Sequence, residues 1–514
     1  MDVSEGQRPL LLQGGLVLVD ASAQAVRADV LIDAGRIVAV GTDLLQAADP
    51  SVEVLDASER LIIPGLVNAH THGHNALTHG FAGNWTLEDL LNHGPVLLSG
   101  RTVREQYLSA ALNAAELLRS GCTSAYDLFM ALPVPTAAGC AAVVQAYIDS
   151  GMRAVLAPAV ADMVFYRTVP GLLDLLPPEE RATVEALQPA ATEGLLAMCE
   201  AHVRQWDGAA GGRIRAAVAP TIPGQCSDDF LLGAARIARE HGVGLHTHLA
   251  ESKVQTIWAQ KRWGTTIVEH LRELGLLDAQ FVGAHAIWLT DGDMRTLADC
   301  GCSVAHNPAS NLRLGSGIAP VRELLDAGVT LGLGSDGSTS SDNQNLFTAL
   351  QLAATLGNVR APHDTTRWIG ADEAFAAATT GGARLLGQLD GAGRIAPGAM
   401  ADLVLLRADS MYLRPLLDAV RALVYVETGA SVDTVLVDGR VVVQGGVLLT
   451  LDESALRREA QEFAERLLAQ RDAQGGGESA AWQMARMLAP YLAQACSAAV
   501  AQPFPVNRYA AASV

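Results

Sequence analysis

Two histidines separated by one residue end the run PGLVNAHTH, which covers residues 64–72. The apolar residues before them predict a buried strand. Because side chains alternate along a strand, His70 and His72 would point to the same face. Two imidazoles side by side at a strand end offer two nitrogen ligands to a divalent metal. Such a pair is a weak indication alone, since buried histidines are common in proteins.

Three further segments place metal-binding or acid–base side chains at or just beyond the end of a short apolar run. They are HTHLAE at 246–251, GAH ending at His285, and GLGSDG containing Asp336. Each run has the length and composition of a buried strand. Four separate strands that each deliver such a residue at one end predict a metalloenzyme with a barrel fold.

The elements that would position these residues alternate between strand and helix. From about 66 to 388, apolar strands alternate with Ala- and Leu-rich helical segments, which predicts βα units and a parallel sheet. The predicted strands are 66–72, 122–128, 153–160, 214–220, 244–250, 281–289, 303–307 and 331–335. Eight βα units predict an α/β fold of the TIM-like (β/α)8 barrel type, with an enlarged loop at about 161–212. The candidate residues lie at the carboxyl ends of strands, which line the mouth of such a barrel.

Short strands with frequent turns flank the barrel on both sides and predict a small β-sandwich built from two separate segments. The barrel would then be an insertion between the two halves of the sandwich. The predicted units are residues 1–63 and 391–450 for the sandwich, 64–390 for the catalytic barrel, and 451–514 for a C-terminal helical extension. A glycine linker at 475–477 would separate two helices of the extension, and the tail at 502–514 would be loose.

The composition is that of a large globular enzyme. The chain has 514 residues, more than one ordinary core holds, and 50% of them are hydrophobic. The net charge of −19 argues against nucleic acid and anionic membranes as partners, since both require basic patches. The seven cysteines are scattered, and neither a signal peptide nor a long apolar span is evident. These features favour a cytoplasmic protein with reduced thiols.

Five segments together resemble the amidohydrolase superfamily: PGLVNAHTH, HTHLAES, GAHAIWL, VAHNPASNLRLGSG and GLGSDGS. The resemblance is greatest to its single-metal aminohydrolase branch, which includes deaminases of S-adenosylhomocysteine, guanine, cytosine and triazines, and triazine chlorohydrolases. It spans about residues 9–450. Strand 214–220 has no lysine, whereas the two-metal branch typically uses a carboxylated lysine there. Its absence favours a single metal.

The resemblance implies a role for each candidate residue. The implied metal ligands are His70, His72, His248 and Asp336. Asp336 would also accept a proton from the attacking water, and His285 would hydrogen-bond that water or the oxyanion. Glu251, at an H-x-x-E position, would carry a proton to a ring nitrogen and to the leaving amine, because amine anions leave poorly. The metal lowers the pKa of its water; zinc suits this ligand set, and Fe2+ or Mn2+ tolerates it.

Several assignments remain open at this stage. His246 shares a strand face with His248 and could be the ligand instead, although the H-x-x-E spacing favours His248. Asn84, Trp85, Gln225 and His306 are candidate substrate contacts, each also explained by a packing or hydrogen-bonding role. For His74 and His79, which follow the histidine pair, a solvated loop position is favoured over contact with the substrate.

The predicted function is hydrolytic deamination of an amino-substituted nitrogen heterocycle of the purine, pyrimidine, pterin or s-triazine type. The alternative is hydrolysis of another C–N or C–Cl bond, such as an N-alkylamino or chloro group on a triazine, an amide or a urea. A non-enzymatic scaffold is disfavoured, since the candidate ligand positions are all occupied by metal-binding residues. A homodimer is expected from the habit of the family alone.

Overall fold

The computed structural model describes residues 8–46, 49–387, 391–472 and 479–504. Two nine-stranded sheets organise this part of the chain. One is parallel and comes from the middle of the sequence, and the other is mixed and comes from both flanks. The predicted domain boundary at 390, the glycine linker at 475–477 and the tail beyond 504 lie outside the described residues.

The parallel sheet carries the candidate site. Its strands are β6 Leu66–His72, β7 Cys122–Phe129, β8 Arg153–Val160, β9 Ile214–Pro220, β10 Gly244–Leu249, β11 Phe281–His285, β12 Ser303–His306, β13 Thr330–Leu333 and β14 Asp336–Gly337. They pair in the order β13 to β6 and then β14, with every ladder parallel. The order begins with β13 and ends with β14. Only Gly334 and Ser335 separate these two strands in the chain, so the first and last strands of the order are neighbours in sequence. Nearly every residue of these strands is buried, as expected for a sheet covered on both faces.

Two strand ends differ from the sequence prediction. The strand predicted at 281–289 stops at His285, because His285 and Ala286 have φ values of 71° and 50°, which a strand cannot accommodate. The strand predicted at 331–335 is interrupted after Leu333 and resumes at Asp336. At the interruption a Cβ on Gly334 would lie 2.2 Å from Asn307 Oδ1, so only glycine fits there.

The mixed sheet joins the two ends of the chain. Its strands are β1 Leu10–Val17, β2 Val26–Asp33, β3 Arg36–Gly41, β4 Glu53–Asp56, β5 Arg60–Pro64, β15 Leu403–Arg407, β16 Val432–Val437, β17 Arg440–Gln444 and β18 Val447–Leu448. Antiparallel pairing of β5 with β15 joins the N-terminal and C-terminal segments. Alternating apolar residues such as Leu12, Val30, Ile62 and Leu405 form a core of their own.

Helices cover the parallel sheet and form the C-terminal end. They are α1 Leu87–Leu98, α2 Val103–Arg119, α3 Ala137–Ser150, α4 Leu172–Leu175, α5 Pro178–Ala186, α6 Thr192–Trp206, α7 Asp228–His241, α8 Lys253–Trp263, α9 Ile267–Glu273, α10 Asp291–Asp299, α11 Pro308–Arg313, α12 Val321–Ala327, α13 Leu346–Leu356, α14 Ala371–Ala376, α15 Gly382–Leu385, α16 Ala419–Tyr425, α17 Glu453–Asp472 and α18 Ala480–Val500. Many begin at a hydroxyl N-cap; Thr102 and Glu105, for example, form a capping box on α2. Among the described helices, none combines the length and apolarity needed to cross a membrane.

The segment predicted as one enlarged loop, 161–212, contains three helices, α4 to α6, and packs against the C-terminal helix α18. Leu488 and Leu492 of α18 share an apolar cluster with Tyr166 and Leu172. Asn92 of α1 donates to the carbonyl oxygen of Ala485 over 2.9 Å and accepts from the hydroxyl of Tyr166 over 3.0 Å. The insertion, α1 and α18 therefore form one packed layer.

A buried ion pair links the two sheets. The Arg153 guanidinium at the start of β8 contacts both carboxylate oxygens of Asp402, at 2.9 and 3.2 Å, and Asp438 at 3.3 Å. Arg153 and Asp402 are only 5% and 4% exposed. A bidentate pair of this kind fixes both the distance between the two side chains and their relative orientation. It therefore sets how the parallel sheet meets the mixed one.

We expect Asp402→Ala to lower the free energy of unfolding by about 3–5 kcal/mol, because it leaves the Arg153 charge buried without its main partner. The exposed pair between Arg104 and Glu459 provides the control, and Glu459→Ala should cost about 1 kcal/mol or less. The shift in the urea midpoint of each variant measures the effect. Equal midpoints for the two variants would contradict a bridging role for the buried pair.

Candidate active site

The carboxyl ends of β6 and β10 and the beginning of β14 bring four side chains into one cluster. His72 Nε2 lies 3.0 Å from His248 Nε2 and 3.3 Å from Asp336 Oδ1. His70 Nε2 lies 3.6 Å from Asp336 Oδ1. Two overlapping groups, His70 with His72 and His248, and His70 with His285 and Asp336, each place their ligand atoms within 4.8 Å of one another. Residues far apart in the sequence thus converge at one end of the sheet.

The hydrogen bonds of the imidazoles leave their inward nitrogens bare. His72 Nδ1 lies 2.7 Å from the carbonyl oxygen of Leu128, and His248 Nδ1 lies 2.5 Å from that of Thr221. A carbonyl oxygen can only accept, so in the neutral rings the proton is on Nδ1 and Nε2 carries a free lone pair. The two bare Nε2 atoms face each other at 3.0 Å, a repulsive arrangement that a cation between them would relieve.

His70 completes this donor set. Both of its ring nitrogens are buried and have no hydrogen-bond partner among the described residues. A buried polar atom without a partner is costly, and coordination of a metal would satisfy it. Three imidazoles and one carboxylate are the donors that a divalent metal such as zinc prefers. The residues present therefore fit a divalent metal.

The electrostatics keep these donors in the form that binds a metal. Burial, followed by the neighbouring imidazoles, holds the pKa of His70 well below its usual value, and burial lowers the pKa of His248 to about 3. Burial alone would raise the pKa of Asp336, but the nearby imidazoles of His285 and His72 outweigh it and lower that pKa. Neutral His70 and His248 and an ionised Asp336 are thereby favoured at neutral pH.

The backbone aims Asp336 at the cluster through a left-handed conformation. Its φ is 61°, unusual for a residue other than glycine, and the Gly337 N–H donates to its Oδ1 over 2.8 Å. Asn68 of β6 holds the preceding residue by two hydrogen bonds, donating to Ser335 Oγ over 2.6 Å and accepting from the Ser335 N–H over 3.1 Å. These bonds stabilise the local strain where β13 gives way to β14.

Glu251 and His285 form an acid–base pair beside the cluster. His285 Nε2 lies 3.7 Å from Glu251 Oε2 and 3.9 Å from Asp336 Oδ2. The Asn311 side-chain oxygen accepts from His285 Nδ1 over 2.8 Å, which leaves Nε2 facing the carboxylates. Burial, and then the charge of Asp336, raises the pKa of Glu251 well above its usual value. Glu251 is therefore suited to hold a proton near neutral pH.

His246 lies beneath the cluster rather than within it. Its ring is 4.9 Å from that of His70 and meets the ring of Tyr126 edge-on at 4.5 Å, centroid to centroid. It belongs to neither of the two ligand groups among the described residues. Of the two histidines on β10, the geometry thus favours His248 as the metal ligand.

A cavity of about 580 Å³ opens above the cluster. His72, His248, Glu251 and Asp336 contribute to its lining, as does Gln225, one of the predicted substrate contacts. The side-chain amide of Gln225 makes no hydrogen bond to another described residue, so it is available to a bound molecule. This volume falls within the range of about 300–1,000 Å³ that is typical of ligand pockets.

The other three predicted substrate contacts lie elsewhere. The Trp85 ring stacks on His93 with centroids 4.2 Å apart and also contacts Phe81, and the neighbouring Asn84 is exposed. His306 is buried and lines a separate, smaller cavity of about 140 Å³. None of the three lines the large cavity. The geometry therefore favours packing roles for Trp85 and His306 over contact with a substrate.

His74 is a further residue of the cavity lining, at a position for which the sequence favoured a solvated loop. It lines the large cavity with its ring 5.2 Å from that of His72. Its Nδ1 accepts from the Met130 N–H over 3.0 Å, so in the neutral ring Nε2 carries the proton and can donate to a bound molecule. The spacing HTHGH was the available signal, but His74 follows the end of β6, where strand alternation no longer predicts direction.

Comparison with known proteins identifies the family. Residues 61–442 match the model of the amidohydrolase family. The chain belongs to this family. It is a hydrolase acting on carbon–nitrogen bonds, and its family match ends before α17 and α18 begin.

Two similar curated relatives cover most of the chain. A 5'-deoxyadenosine deaminase of Methanosarcina mazei is 33% identical over 86% of this chain and 93% of the relative. A 5-methylthioadenosine/S-adenosylhomocysteine deaminase of Desulforudis audaxviator is 34% identical over 89% of this chain and 99% of the relative. Both are named as deaminases of adenine-containing compounds.

Solved structures agree with this fold. An adenosine deaminase of Xanthomonas campestris with bound zinc has a TM-score of 0.78 and 25% identity, covering 90% of this chain and 98% of that one. Atrazine chlorohydrolase of Arthrobacter aurescens, in complex with zinc, has a TM-score of 0.77 and 26% identity, covering 88% and 99%. The same α/β architecture therefore carries a metal in both neighbours.

We expect His72→Ala to lose stoichiometric metal, because it removes one of the two facing imidazoles and leaves His248 without its counterpart. Metal content after zinc loading and exhaustive dialysis measures this by mass spectrometry of the digested protein. His79→Ala is the matched control, since His79 is an exposed histidine after the same strand, and it should retain the metal. Full metal content in His72→Ala would contradict the assignment of the site.

Proposed function

We propose that this protein is a metal-dependent deaminase, which hydrolyses the exocyclic C–N bond of an amino-substituted nitrogen heterocycle and releases ammonia. One observation carries the proposal: the bare imidazole nitrogens of His72 and His248 and the carboxylate of Asp336 lie next to the buried Glu251 at the floor of a single cavity. The deaminase relatives support it. The substrate would be a small molecule, and the acidic charge of the chain argues against nucleic acid.

We also propose a domain arrangement. The parallel sheet would form a (β/α)8 barrel over residues 64–390, because its strand order returns to β6 through β14. The barrel would be inserted in a β-sandwich made of residues 1–63 and 391–450, and residues 451–514 would form a helical extension. The pairing of β5 with β15 supports the two-part sandwich.

His70, His72, His248 and Asp336 would hold one divalent metal. Zinc is favoured, because three imidazoles and a carboxylate suit it and both solved neighbours are described with zinc; iron or manganese could replace it. When bound, the metal would act as a Lewis acid that lowers the pKa of water, so that a nucleophile is available near neutral pH. The carbonyl oxygens of Leu128 and Thr221 would keep His72 and His248 in the ligating tautomer.

The chain's own carboxylates would move the protons. Asp336, ionised and facing the cluster, would take a proton from the attacking water. Glu251, whose raised pKa keeps a proton available, would protonate a ring nitrogen. It would then accept the proton of the added hydroxyl group, pass it to the departing amine as the C–N bond breaks, and recover its own proton from Asp336. His285 Nε2, between these two carboxylates, would accept a hydrogen bond from the attacking water, because Nδ1 holds the proton of the neutral ring. Gln225 and His74 would orient the ring from the cavity wall.

An alternative activity shares this machinery. The likeness to atrazine chlorohydrolase favours hydrolysis of another C–N or C–Cl bond as the second candidate, including N-alkylamino or chloro groups on a triazine, amides and ureas. Only the leaving group differs between the two candidates. The identity of the released group therefore separates them.

We expect Glu251→Gln to keep its metal and to lose about 10²–10⁴-fold in kcat, because general acid–base catalysis contributes about that factor. The amide is nearly isosteric with the carboxyl group but cannot relay a proton. Turnover and metal content measured on the same preparation separate catalysis from binding. Glu273→Gln, an exposed glutamate, should behave as wild type. A wild-type rate for Glu251→Gln would remove this residue from the mechanism.

Ammonia release tests the reaction itself. The zinc-loaded protein should release ammonia from at least one member of a panel of adenine nucleosides, aminopurines, aminopyrimidines, pterins and aminotriazines. A coupled glutamate dehydrogenase assay measures it, with His72→Ala as the inactive control. Release of chloride or of an alkylamine without ammonia would favour the alternative activity.

A further inference from the structure

We infer that the substrate carries an uncharged, apolar substituent on its heterocycle, which occupies the upper part of the cavity. This inference rests on the proposed function for the position of the ring. It goes further by naming the chemical class of the remainder of the molecule, which the cluster of ligands at the floor does not determine.

The cavity separates into a polar floor and an apolar wall. The floor contains its two carboxylates, Glu251 and Asp336, together with His72, His74 and His248. The described residues that line the cavity include no lysine or arginine. Every ionic group at the lining is thus an acid beside the proposed reaction centre. An anionic substituent would find no counter-charge on the wall, and neither would a cationic one, because the described residues that line the cavity include no other Asp or Glu.

Three segments build the apolar wall. Leu90 and Leu91 face the cavity from α1, the stretch 130–135 contributes Met130, Leu132 and Val134, and the insertion contributes residues 163–166. Most of these side chains are only half-buried, so they retain apolar surface that a ligand could cover. Burial of apolar surface is favourable by about 25 cal/mol per Å², so an apolar substituent would gain binding free energy by covering this wall.

Arg101 is the cation of the turn between α1 and α2, and its contacts are to the protein rather than to the cavity. Its guanidinium donates to the carbonyl oxygens of Leu97 and His74 and lies over the ring of Phe463, 5.3 Å from the centroid. It is not among the residues that line the cavity. A carboxylate on the substrate would therefore lose its water without gaining a salt bridge, which is strongly unfavourable.

The wall is braced from behind, so its shape is largely preformed. Tyr166, which lines the cavity, donates to Asn92, and Asn92 in turn donates to the carbonyl oxygen of Ala485 on α18. Asn92 is 1% exposed. Buried hydrogen bonds of this kind lock the side chains that they join. The apolar wall is therefore a formed pocket surface rather than a loose loop.

Matched ligand pairs test the inference with the wild-type, zinc-loaded protein. The pairs are 9-butyladenine with 9-(3-carboxypropyl)adenine, and 2-amino-4-butyl-1,3,5-triazine with its terminal carboxylate analogue. Equilibrium dialysis measures binding, and ammonia release is recorded separately. On whichever ring binds more tightly, we expect the neutral member to bind at least 100-fold more tightly than its carboxylate partner.

Ligand binding and ammonia release are measured separately, so each can contradict its own hypothesis. Equal affinity within both pairs, preference for the carboxylate, or no binding of any member at millimolar concentration would overturn the inference. Selective binding of the neutral members without ammonia release would uphold the inference for the cavity and count against deamination. Selective binding together with ammonia release would support both.

A charge placed in the wall provides a second test. Leu90→Arg should reduce the preference for the neutral ligand at least tenfold, since the new guanidinium supplies the missing partner for the carboxylate. Leu232→Arg, at an exposed position on α7, is the matched control and should retain the wild-type preference. Wild-type selectivity in a folded, metal-containing Leu90→Arg protein would contradict the placement of the substituent against α1.

Discussion

The site depends on two imidazole nitrogens that are held face to face without a proton between them. The carbonyl oxygens of Leu128 and Thr221 each take the Nδ1 proton of one ring, so the Nε2 lone pairs of His72 and His248 meet at 3.0 Å. Two lone pairs at this distance repel each other, and a cation held between them would relieve the repulsion. The donors of these hydrogen bonds and their acceptors come from four different strand ends, so the parallel sheet must be assembled before the site exists.

The backbone conformation at these strand ends also helps to direct side chains toward the cluster. Ala250, His285 and Asp336 all have positive φ values, between 48° and 71°, at the points where β10 and β11 end and where β14 begins. Each departure from the strand conformation turns a side chain or the following loop toward the cluster. Non-glycine residues rarely adopt this conformation because of its steric cost, and packing elsewhere must compensate. The two hydrogen bonds between Asn68 and Ser335 supply such compensation beside Asp336.

The sequence predicted the parallel strands closely, because buried strands are continuous apolar runs and ligands recur at their ends. It could not predict the break between Leu333 and Asp336, which arises from the close approach of Asn307 to Gly334. For Trp85 the sequence left contact with the substrate and a packing role open; its ring packs on His93, which in turn contacts Trp482 of α18, a residue distant in the sequence. His74 was undervalued because its direction is set by a hydrogen bond from Met130 on another strand's loop.

The floor and the wall of the cavity differ in how well the sequence predicts them. The floor requires particular atoms at particular distances, so its residues leave recognisable motifs. The wall requires only apolar volume, which many sequences supply, and α1 and Tyr166 in it are braced by α18, beyond the region matched to the family. Motifs therefore identify the reaction chemistry, whereas the choice of substrate is determined by segments without a motif. For this reason the substituent is better inferred from the charges absent from the described wall than from the residues of the floor.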